Sequence, residues 1–63
     1  MPNTRHKASY SDLANIRWAL ASLRAARRRL RAAGSDRAAD YVARAIKSAE
    51  GALRHAQLCV QRK

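Results

Sequence analysis

A single short break, Gly34-Ser35-Asp36, divides the chain into two long stretches that each repeat apolar residues at alternating steps of three and four. Residues so spaced fall on one face of a helix, so each stretch reads as amphipathic helix. A connection this short forces the second helix to turn back along the first. Gly34 is suited to the left-handed conformation that ends helices, and Ser35 or Asp36 is suited to cap the next one. No stretch alternates apolar and polar residues as a half-buried strand does, and the 15 alanines and 11 arginines favour helix. The expected fold is therefore all-α, an antiparallel two-helix hairpin with helices at about residues 9–33 and 36–60.

Ser9 followed by Asp12 has the spacing of a capping box, and Ala8 and Leu13 are placed to form the accompanying hydrophobic staple. Residues 1–8 are polar and basic and hold the only proline, so they are expected to form a flexible basic arm ahead of one domain at 9–63. The last residues, Gln61-Arg62-Lys63, are expected to fray.

A chain of 63 residues buries little apolar surface by itself. Disulfides, a metal or self-association usually supply the rest. Cys59 is the only cysteine, and no Cys/His set has metal-ligand spacing, so neither a metal nor a cofactor is expected. Self-association remains. Ile16, Ala19, Leu23, Ala26, Leu30 and Ala33 form a seam on the first helix, widened by Leu13 and Leu20. Val42, Ala45, Ala49, Ala52, Ala56 and Cys59 follow the same rhythm on the second, widened by Ile46, Leu53 and Val60. Each stripe is wider than one helix-helix contact needs. A homodimeric four-helix bundle buries both, with Ile16, Ala19, Leu20, Leu23, Ala26, Leu30, Val42, Ile46, Ala49, Leu53, Ala56 and Val60 as its dimer core. Docking of the hairpin on a different protein is the competing solution.

Charge narrows the partner. The chain carries +10, with 14 Lys+Arg against 4 Asp+Glu. Such a balance favours polyanions, through phosphate neutralisation and counterion release. Arginine outnumbers lysine 11 to 3, which with the alanine content suggests a GC-rich bacterial or phage genome. Residues 12–33 hold six arginines and one acid, whereas residues 36–60 hold four basic and three acidic residues. The binding face is therefore expected on the first helix. Arg17, Arg24, Arg28 and Arg31 form one row along it, while Arg29 lies further round, near Trp18 and Ser22. Trp18 sits about 150° from the apolar centre and should be exposed. An exposed tryptophan among arginines suits stacking of a base while guanidiniums grip phosphates. Two other readings stay open: a merely solvated basic face, or a surface that meets an acidic host protein. Arg27 lies at the edge of the apolar stripe, where it either snorkels or reaches across a dimer interface.

Catalysis finds little support. His6 and His55 have no evident carboxylate or nucleophile partner, and Cys59 on the apolar seam reads as an ordinary buried thiol. The isolated Gly34 and Gly51 build no phosphate loop. No apolar run approaches the ~20 residues needed to span a membrane. The opening residues lack the apolar core of a signal peptide, and with the unpaired cysteine this points to a cytoplasmic setting.

In its length, central turn, alternating small and large seam residues and a cysteine late in the second helix, the chain resembles the Rop family of small plasmid RNA-binding regulators. The resemblance implies two hairpins joined as an antiparallel four-helix bundle that binds RNA. With the turns aligned, the family's exposed first-helix aromatic falls on Trp18, and two basic RNA-contacting positions fall on Lys7 and Arg29. Ala14 and Ser22 stand at the places of its polar contacts, a departure from the family pattern. Together these features predict a small non-enzymatic regulator. Its partners would be itself and RNA or DNA, with an acidic protein as the alternative.

Overall fold

The computed structural model describes residues 9–61, which form two α-helices, α1 at Tyr10–Ala32 and α2 at Asp36–Gln61. The expected basic arm, including Lys7 and Ala8 with its staple, lies outside the described residues.

Local chemistry sets the ends of α1. Ser9 accepts a hydrogen bond from the Asp12 backbone N–H at 3.2 Å and donates its own N–H to Asp12 Oδ2 at 2.9 Å. Two donors that the helix cannot satisfy internally thus gain partners. At the other end Gly34 adopts φ +78°. Its N–H bonds to the Arg31 carbonyl at 3.0 Å, and the Ser35 N–H reaches back to Leu30 at 2.8 Å. This pair of bonds is the Schellman arrangement, which needs a left-handed residue where glycine stands. α2 then begins at once, with the Ser35 carbonyl accepting from Ala39 N–H at 3.0 Å.

The helices run antiparallel along one continuous seam. On α1 it comprises Leu13, Ile16, Leu20, Leu23, Arg27 and Leu30, and on α2 Ala39, Val42, Ile46, Ala49, Leu53, Ala56 and Val60. All are buried or half-buried, with Leu20 only 2% exposed. This corrects the expected centre of the stripe. Leu13 and Leu20, expected on the flank, are the buried residues of α1, whereas Ala19 and Ala33 are exposed. Likewise Ile46 is buried on α2, while Ala45, Ala52 and Cys59 are exposed. The reason is area. One helix-helix contact covers only one seam, and large side chains placed there remove more apolar surface from water than alanines do. Ala19, Ala33, Ala45 and Ala52 are left along its edge, while Ala39 and Ala56 are buried within it.

Candidate nucleic-acid interface

α1 presents its basic residues outward because its apolar seam points to α2. Arg17, Arg24, Arg28, Arg29 and Arg31 are all exposed, and Trp18 is 76% exposed. On the helix surface Ala14, Ala21 and Ala25 lie between Trp18 and the row containing Arg17 and Arg28. These short side chains separate an aromatic platform from a line of guanidiniums.

The row is not uniform. Arg24 Nη2 donates to Glu50 Oε2 at 3.1 Å, and Arg31 Nη2 lies 3.9 Å from Asp40 Oδ1. Both pairs cross from α1 to α2 and remain substantially exposed, so each contributes at most about 1 kcal/mol to stability. The shorter pair restrains the Arg24 guanidinium, and both partly neutralise that flank. Arg17, Arg28 and Arg29 make no ion pair among the described residues. Arg27 stands apart from all of them. It is half-buried and occupies the seam position seven residues after Leu20, at the boundary of the apolar stripe.

Two residues of α2 that sequence reasoning assigned no role belong to this surface. Arg54 and Glu50 line a cleft with Arg17, Leu20, Arg24 and Leu53. Glu50 and Arg54 stand four positions apart, which hinted at one face of α2. Only the interhelix register brings that face beside Arg17 and Arg24.

A separate groove is lined by Asp12, Asn15, Ile16, Ala52, His55, Ala56 and Cys59. Here Cys59 Sγ lies 3.7 Å from His55 Nε2, and the thiol is exposed where the seam position implied burial. The hairpin alone leaves the Ala45-Ala52-Cys59 edge uncovered, which explains the difference. Elsewhere on α2, Tyr41 is a surface residue with the Arg44 guanidinium 5.5 Å from its ring centroid. Among the described residues no group of three or more His, Cys, Asp or Glu side chains is placed to hold a metal ion. No described helix is long and apolar enough to cross a membrane. No family model, curated protein or solved structure matches this chain.

Proposed function

We propose that this chain is a non-enzymatic nucleic-acid-binding regulator that pairs with a second copy of itself and binds RNA or DNA through the outer face of α1. One observation carries the reading. Arg17, Arg28 and Arg29 are exposed without ion-pair partners among the described residues, on the same outward surface as a 76% exposed tryptophan. Keeping such a ring in water has a physical return if a base stacks on it while the guanidiniums neutralise phosphates. A two-helix chain supplies no helix-turn-helix, so recognition rests on shape and unstacked bases more than on major-groove reading. RNA loops fit this best.

Self-pairing is part of the proposal, as the Rop-like pattern implies. A face of two helices led by α2, 26 residues and so about 39 Å long, covers roughly 800 Å². That is about what each partner contributes to a stable interface. The exposed Ala19, Ala45 and Ala52 allow close helix approach there. A second reading, docking on an acidic protein, draws on the same uncovered apolar edge.

The test is Trp18→Ala. Stacking is worth about 1–3 kcal/mol per base, so affinity for a looped or single-stranded RNA should fall roughly fivefold to a hundredfold. Binding to duplex DNA should change less. Equal affinities of the two proteins for looped RNA would remove the stacking role. Recovery of one stoichiometric protein from host lysate after nuclease treatment would favour the protein-docking reading.

A further inference from the structure

We infer that the cleft between α1 and α2, walled by Arg17, Arg24 and Arg54, is a phosphodiester-binding site, so that bound nucleic acid crosses from α1 onto α2. This rests on the proposed nucleic-acid binding and extends it to a helix of nearly balanced charge.

The cleft has a volume of about 650 Å³. Arg17, Arg24, Arg54 and Glu50 line it together with Leu20 and Leu53. Leu20 is buried and Leu53 half-buried, while Arg17, Arg24 and Arg54 are exposed, so the arginines are open to an incoming anion. The arginines differ in commitment. Arg24 spends one Nη2 donor on Glu50, but a guanidinium has five N–H donors in a planar fork. It is therefore held in place with donors still available. An aspartate or glutamate four residues before an arginine normally pairs with it along the helix. Glu50 instead bonds across to Arg24, and Arg54 has no ion pair among the described residues. The Arg54 Nη2 lies 3.8 Å from where a β-carbon on Gly51 would stand, toward the outer side of α2, so Arg54 borders the cleft at its rim.

Glu50 then has a second role. Its carboxylate occupies Arg24 as a phosphate oxygen would, so an incoming phosphodiester must compete with it. A single weak anion does not displace it readily, while a polyanion gripped at the same time by Arg17, Arg28 and Trp18 does. Arg17 belongs both to the cleft and to the α1 row, which makes the two surfaces continuous.

The experiment follows the arginine side-chain N–H signals of the full chain by NMR during titration with a uridine oligonucleotide and, separately, with linear tripolyphosphate. Affinities and salt slopes are measured for the unsubstituted protein, Arg54→Gln, Glu50→Gln and, as a control on the same helix, Arg37→Gln. The oligonucleotide should shift the signals of Arg17, Arg24 and Arg54. Arg54→Gln should weaken binding roughly tenfold and lower the salt slope by about 0.7, the share of one phosphate contact on a single strand. Arg37→Gln should do clearly less, and Glu50→Gln should tighten binding and steepen the slope. Oligonucleotide binding with Arg54 unmoved, or equal losses in Arg54→Gln and Arg37→Gln, overturns the cleft and leaves the α1 face standing. No binding to the oligonucleotide, to a looped RNA or to duplex DNA, while tripolyphosphate shifts these three signals, overturns the proposed function and keeps the cleft as a phosphate site. Silence to both probes overturns both.

Discussion

At Gly34 the backbone turns through φ +78°, and a β-carbon added there would meet no heavy atom within 4 Å. Substitution is therefore opposed by backbone strain alone. Gly34→Ala should destabilise the hairpin by about 1–2 kcal/mol, read as a lower midpoint in urea unfolding with unchanged slope. An unchanged midpoint would mean that the turn tolerates another conformation. Ser9→Ala removes one arm of the capping box and should cost about 1 kcal/mol in the same measurement. Both features were legible in the sequence because each depends only on residues a few places away. The fate of individual arginines was not. A helical wheel places Arg24 and Arg31 on one row with Arg17 and Arg28, but it carries no information about Glu50 and Asp40 on the facing helix. Which guanidiniums are tied and which are free follows from the register of two helices.

The two helices divide their labour by side-chain size. Leucine, isoleucine and valine fill the seam, with Ala39 and Ala56 buried where α2 meets α1. Alanines at 19, 45 and 52 stay outside it. The stripes and their width were readable from spacing, and so was the hairpin. Which part of each stripe the partner helix covers was not, because a repeat of three and four is compatible with either adjacent seam. The uncovered edge makes a prediction about assembly. If a second copy covers it, the unfolding midpoint should rise with chain concentration, since association stabilises only the folded state. Ala52→Glu places a carboxylate in the groove beside Ile16 and Ala56 and should abolish that dependence. A midpoint independent of concentration in the unsubstituted protein would exclude self-pairing through this edge.

At the scale of the molecule the charge is polarised, with α1 strongly basic and α2 nearly balanced because Asp36, Asp40 and Glu50 offset most of its basic residues. Two of these acids, Glu50 and Asp40, lie beside α1 and partly offset Arg24 and Arg31. What remains free is the outer surface of Arg17, Arg28, Arg29 and Trp18, joined through Arg17 to the cleft with Arg54. The direction of this surface was legible from the wheel, whereas its extension onto α2 required the folded hairpin. Because guanidinium-phosphate contacts release counterions, nucleic-acid affinity should depend steeply on salt. The most direct measurement is the affinity for a looped single-stranded RNA between about 50 and 200 mM monovalent salt. The logarithm of the association constant should fall linearly with the logarithm of salt, losing about 0.7 of slope for each phosphate-contacting arginine replaced. Binding that ignores salt, or no binding to any nucleic acid at the lowest salt, would contradict a nucleic-acid interface on α1.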